Sequence, residues 1–92
     1  MNNELIIIVE DDLLIARDLK ETLEKEGFKA ISNIADYDTA VKSIEEHKPS
    51  LVLIDINLSK THEGIKIASF LNELNEIPFI FVTSCNDKVS LE

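Results

Sequence analysis

Basic residues are scarce in this chain: nine Lys and Arg stand against eighteen Asp and Glu, a net charge of −9. Contact with a nucleic-acid backbone is driven by cation-rich surfaces, so direct nucleic-acid binding is not expected. Cysteine is nearly absent as well. The lone Cys85 has no partner for an internal disulfide, and in a reducing compartment it reads as an ordinary small side chain at a strand end. No apolar run approaches the length of a membrane span, and Met1-Asn2-Asn3-Glu4 lacks the basic start of a secretory signal. A soluble, cytoplasmic chain without membrane contact is the expectation. Low-complexity linkers and repeats of solenoid period are also missing. The 92 residues therefore make one small domain, burying about 60% of the surface that its unfolded chain exposes.

Short apolar runs alternate with helical patterns, the signature of βαβ units and a parallel sheet. The first run is Leu5-Ile6-Ile7-Ile8-Val9, continuous enough for a strand buried on both faces. Ile15, Leu19 and Leu23 then recur at helical spacing through Lys25, and Gly27 supplies the stop. Phe28 to Ile34 reads as a second strand carrying Ala30 and Ile34, and Asp36 as the N-cap of a helix carrying Ala40, Val41 and Ile44. Pro49 ends that helix and the run Leu51-Val52-Leu53-Ile54 follows, closed by Asp55. After the polar, turn-rich stretch from Asn57 to Gly64, the residues Ile65, Ile67, Ala68, Leu71 and Leu74 mark a third helix. Pro78 leads into Phe79-Ile80-Phe81-Val82, a run fit for another buried strand.

The ends of these strands carry the chemistry. Open α/β sheets place their ligand crevices outside the C-terminal ends of parallel strands, and right-handed crossovers bring all such ends to one edge. The first strand ends in Glu10-Asp11-Asp12, the third in Asp55 and the fourth in Thr83-Ser84. Glu10, Asp11 and Asp55 offer hard oxygen ligands, which suit Mg²⁺ or Mn²⁺. Without a cation, like charges so close raise one another's pKa; with one, an anionic phosphoryl donor can approach Asp55, and an Asp can act as nucleophile and carry an acyl phosphate. Thr83 could donate its hydroxyl to a phosphoryl oxygen, and Ser84 could add a further hydrogen bond. Asp12 reads as a helix N-cap rather than a ligand. His47, His62, Lys60 and Lys66 read as solvated surface groups.

These residues together resemble the receiver domain of bacterial two-component response regulators over essentially the whole chain. Ile8-Val9-Glu10-Asp11-Asp12 is similar to the acidic pair that follows the family's first strand, with Asp11 as the more direct metal ligand. Leu51 to Leu58 resembles the phosphoacceptor segment. There the resemblance implies that Asp55 takes the phosphoryl group and that the Asn57 backbone carbonyl ligates the metal. Phe81-Val82-Thr83-Ser84 resembles the segment whose hydroxyl residue, here Thr83, binds the phosphoryl group and moves on switching, and Ser84 falls on the small residue after it. The implied fold is the flavodoxin-like (CheY-like) parallel sheet with helices on both faces. Its strand order here is 2-1-3-4, without the fifth βα unit. The family's fifth strand carries a lysine that neutralises the phosphoryl group, and a last helix packs against the first. Neither can be placed in residues 1–92. Lys88 is too close to Thr83 to take the lysine's place, and Ser59-Lys60-Thr61 departs from a loop where many members carry proline. The expectation is an incomplete receiver domain: a fragment cut inside the domain, or a chain that covers its fourth strand by pairing with another copy.

The implied function is a phosphoacceptor signalling module rather than an enzyme. Mg²⁺-dependent transfer from a sensor histidine kinase or phosphotransfer protein to Asp55 switches a partner-binding surface. A degenerate receiver used for protein interaction independently of phosphorylation is the alternative. A phosphohydrolase with an Asp nucleophile is a third reading, but that class resembles Asp-x-Asp and position 57 is Asn.

Overall fold

A computed structural model describes residues 4–34, 36–55 and 62–82. Their elements follow one another as β1 (Leu5–Val9), α1 (Leu13–Lys25), β2 (Lys29–Ile34), α2 (Tyr37–His47), β3 (Leu51–Asp55), α3 (His62–Leu74) and β4 (Phe79–Val82). The strands form one parallel sheet in the order β2-β1-β3-β4, as the sequence predicts. The continuous apolar runs of β1 and β3 are explained by burial on both faces. Ile7, Val9, Val52 and Ile54 pack with Ala40 and Ile44 of α2 and with Ile67 and Leu71 of α3. Ile6, Ile8 and Leu53 point the other way, into a smaller cluster with Leu19 and Leu23 of α1. Each fully buried Ile or Leu contributes about 1.5–3 kcal/mol.

The punctuation residues act as their chemistry requires. Asp12 caps α1 by accepting the N–H groups of Leu14 and Ile15 at 3.0 and 3.3 Å. At the other end Gly27 adopts φ 96°, which glycine reaches without a Cβ clash. Its N–H reaches Glu24 O at 3.0 Å while Phe28 N–H reaches Leu23 O at 3.1 Å, the paired bonds of a Schellman stop. Phe28 thus belongs to the helix terminus, and β2 starts one residue later than the sequence suggests. Asp36 caps α2 through Thr39 N–H at 3.0 Å, and α2 ends at Lys48 in the left-handed region, ahead of Pro49.

Three further expectations are revised. In α1 the buried residue is Ala16, with Ile15 turned to a half-buried position. In α3, Ile67 and Leu71 take the core positions and Ile65 is 57% exposed, because residues two apart point about 200° apart around a helix. The β4 run is not a buried strand: Ile80 and Phe81 are 51% and 43% exposed. Among the described residues β4 lies at the sheet edge, and only Phe79 and Val82 pack against the two core clusters.

Candidate functional site

Register places the acids. Val9 pairs with Ile54, so the next residues, Glu10 and Asp55, leave adjacent strands side by side at the carboxyl edge of the sheet. Asp11 follows in the turn before α1. One carboxylate oxygen from each of Glu10, Asp11 and Asp55 lies within 4.8 Å of the other two. Glu10 and Asp55 are 2% and 3% exposed, whereas Asp11 faces solvent. The expected acidic cluster is therefore assembled by β1 and β3.

Its polar groups are unevenly satisfied. Glu10 Oε2 accepts the Asp12 N–H at 3.0 Å, which orients the carboxylate and ties it to the start of α1. Glu10 Oε1 and Asp55 Oδ1 are buried and find no hydrogen-bond partner among the described residues. Burial pushes the Glu10 carboxyl above its ordinary range; the Asp12 N–H opposes that rise, and the charges of Asp55 and Asp11 add to it. Buried carboxylate oxygens without donors are costly unless something cationic faces them. Two buried carboxylates gathered with a solvent-facing third have the composition of a hard divalent-cation site with room for water ligands.

Other sequence-derived assignments fall elsewhere. Asn57, Thr83, Ser84, Lys60, Cys85, Lys88 and the side chain of His62 lie outside the described residues. Asp12 is the N-cap that the sequence suggests. The exposed His47 ring places Nδ1 3.1 Å from Ser43 O of its own helix. Lys66 is exposed, with Nζ 4.8 Å from the centre of the Tyr37 ring. Two residues without an assigned role prove to be joined: Glu63 Oε1 accepts the Tyr37 N–H at 2.6 Å, 26 positions away. No local pattern carries a pairing at that separation. Among the described residues no helix is long and apolar enough to cross a membrane.

Comparison with known proteins agrees with this fold. Residues 6–92 match the family model of the response regulator receiver domain. The transcriptional regulatory protein PdtaR of Mycobacterium tuberculosis is 32% identical over 87 residues, covering 95% of this chain and 42% of that protein. The phyllosphere-induced regulator PhyR of Methylorubrum extorquens is 38% identical over 80 residues, covering 86% of this chain and 30% of that protein. The chain thus spans less than half the length of these curated relatives. Among solved structures, the signal receiver domain of a modulated diguanylate cyclase from Desulfovibrio desulfuricans superposes with a TM-score of 0.78. It is 30% identical, covering 96% of this chain and 70% of that one. With its parallel 2-1-3-4 sheet and acidic edge, this chain belongs to the response regulator receiver domains, regulatory modules of two-component signalling.

Proposed function

We propose that the chain is a phosphoacceptor module in which Asp55 takes a phosphoryl group from a phosphohistidine on a sensor histidine kinase or phosphotransfer protein. The observation that carries this reading is the convergence of Glu10, Asp11 and Asp55, two of which bury an oxygen that has no hydrogen-bond partner among the described residues. In the transfer, an Asp55 carboxylate oxygen forms the new bond to phosphorus. The phosphorus–nitrogen bond breaks, and its electron pair stays on the donor imidazole. Burial between strands fixes the Asp55 carboxylate at the edge of the sheet, so little orientational freedom is lost when the donor arrives.

Asp11, Glu10, Asp55 and the backbone carbonyl of Asn57 would hold Mg²⁺ or Mn²⁺, and a bound cation offsets the negative charge of carboxylates and phosphoryl oxygens. Glu10 is oriented for this by the Asp12 N–H. Thr83 follows Val82, the partner of Asp55 in the β3–β4 ladder, and is assigned the hydroxyl that binds a phosphoryl oxygen, with Ser84 beside it. Leu13 and Leu14, exposed on the first turn of α1 next to Asp11 and Asp12, offer apolar surface for the donor protein. The net charge of −9 favours protein partners over nucleic acid, in keeping with a cytoplasmic signalling role.

Labelling with a radioactive kinase or a small phosphodonor tests the assignment. Wild type is expected to take up hydroxylamine-labile label, as an acyl phosphate gives, in the presence of Mg²⁺, and Asp55→Asn to take up none. Equal labelling of the two proteins would remove Asp55 from the role. Mg²⁺ titration of Asp11→Asn adds a second check, with loss of binding expected.

A further inference from the structure

One stripe of α3 closes on the N-terminus of α2 at three points. Glu63 Oε1 accepts the Tyr37 backbone N–H at 2.6 Å. Lys66 Nζ lies 4.8 Å from the centre of the Tyr37 ring, within cation–π range. Phe70 meets that ring edge-on, with centroids 6.5 Å apart. Glu63, Lys66 and Phe70 recur at three- and four-residue spacing, so they share one helix face. A single rigid element therefore holds the peptide, the face and the edge of one residue. Asp36 already caps α2 at Thr39; Glu63 satisfies a different N–H of the same turn and adds negative charge where a helix N-terminus favours it.

The position of this clasp ties it to the acidic edge. Ile34, the last residue of β2, accepts the Glu10 N–H at 2.9 Å, and only Ala35 separates it from the Asp36 cap. On the other side residues 56–61 join Asp55 to α3. The Glu63–Tyr37 bond thus closes a circuit that runs from Glu10 through Ile34, Tyr37 and Glu63 to Asp55 and back across the β1–β3 ladder. With the strands fixed by pairing, the clasp ties the first turn of α2, which follows β2, to the first turn of α3, which follows β3.

We propose that Glu63 is a positioning residue for the acidic site, and that its clasp on Tyr37 is coupled to cation binding by Glu10, Asp11 and Asp55. This rests on the cation-site reading given above. Such coupling is reciprocal: the factor by which the clasp tightens cation binding is the factor by which the cation tightens the clasp. The chain has one tyrosine and no tryptophan, so intrinsic emission reports on the clasped ring itself.

The experiment is a Mg²⁺ titration of the 92-residue chain, followed in parallel by calorimetry and by Tyr37 emission, with circular dichroism to check each variant's fold. In wild type the emission change is expected to track the calorimetric isotherm. Glu63→Ala, which removes the acceptor, and Glu63→Asp, which shortens its reach, are expected to bind Mg²⁺ about fivefold or more weakly, with a diminished emission change. Glu63→Gln keeps an acceptor oxygen at full reach and is expected to regain most of the affinity. Wild-type affinity in a folded Glu63→Ala, alongside loss of binding in Asp11→Asn, overturns the positioning role and leaves the cation site standing. Absence of Mg²⁺ binding by wild type overturns both. Should Glu63→Ala not fold, the Gln and Asp variants carry the same contrast, and equal affinities in that pair overturn the proposal.

Discussion

Glu10 is placed where a carboxylate is least comfortable. It is 2% exposed, one oxygen has no donor among the described residues, and two further carboxylates stand beside it. Burial first, then Asp55 and Asp11, hold its pKa above the ordinary 4.5, against the opposing Asp12 N–H. The native protein therefore keeps the Glu10 proton to higher pH than the unfolded chain does. From about the ordinary value upward the native state binds more protons, so this group's contribution falls as pH rises and its penalty is complete above the native pKa. In chelator-treated protein, Glu10→Gln is expected to raise stability at neutral pH by on the order of 1 kcal/mol, the scale of one unsatisfied buried group. That is roughly 4–8 °C in melting temperature for a domain of this size, and the advantage should shrink toward pH 4. Melts that show no gain at pH 7, or a gain that grows on acidification, would contradict the account of Glu10. Glu10, Asp11 and Asp55 were legible from sequence because each ends an apolar run or follows one directly, and parallel strands deliver their ends to one edge. The Glu63–Tyr37 bond was not legible, because it depends on how two helices lie over the same sheet face rather than on any pattern along the chain.

At the scale of elements, termini were easier to read than faces. Asp12, Asp36 and Gly27 announce helix ends through local chemistry. Gly27→Ala tests one of them: forcing a Cβ into φ 96° is expected to cost about 1–2 kcal/mol. Urea unfolding should show it as a lower midpoint at unchanged slope. A neutral substitution would mean that the turn relaxes and that the Schellman bonds matter little. Asp36 is held below its ordinary 3.8, chiefly by its bonding to Thr39. Its sign is the reverse of that of Glu10: the contribution is present above the unfolded value and is lost as pH falls through the native one. Faces were harder. Strict alternation would put Ala30 and Ile34 of β2 on one side of the sheet, yet Ala30 packs toward α1 and Ile34 toward α2 and α3. The cause is a register shift: Ile7 pairs with Ile31 but Val9 with Ile34, one extra residue in β2 that reverses which face later side chains meet. The same bulge sets Ile34 where its carbonyl accepts Glu10 N–H, so an irregularity invisible to periodicity helps to seat the acidic edge.

Over the whole molecule, a hydrophobic edge opposes a strong like charge. Among the described residues β4 has no neighbour on its outer side, and it presents Ile80 and Phe81 at 51% and 43% exposure. An edge of this kind carries unpaired N–H and C=O groups beside apolar surface, a template for another strand. A β4 paired with its own copy across a two-fold axis would run antiparallel and cover both apolar side chains. Against this stands the repulsion between two chains of net charge −9, which acts over a Debye length of about 8 Å at physiological ionic strength and about 3 Å at 1 M. Self-association of this chain is therefore expected to strengthen with both protein concentration and salt, the opposite of what charge pairing would give. Phe81→Lys, which adds charge to the edge without touching the buried residues of β1 and β3, is expected to return the protein to a monomer at all ionic strengths. Light scattering across a salt series reads both outcomes. A wild-type chain that stays a dilute, stable monomer in high salt would show that the β4 edge is protected from pairing.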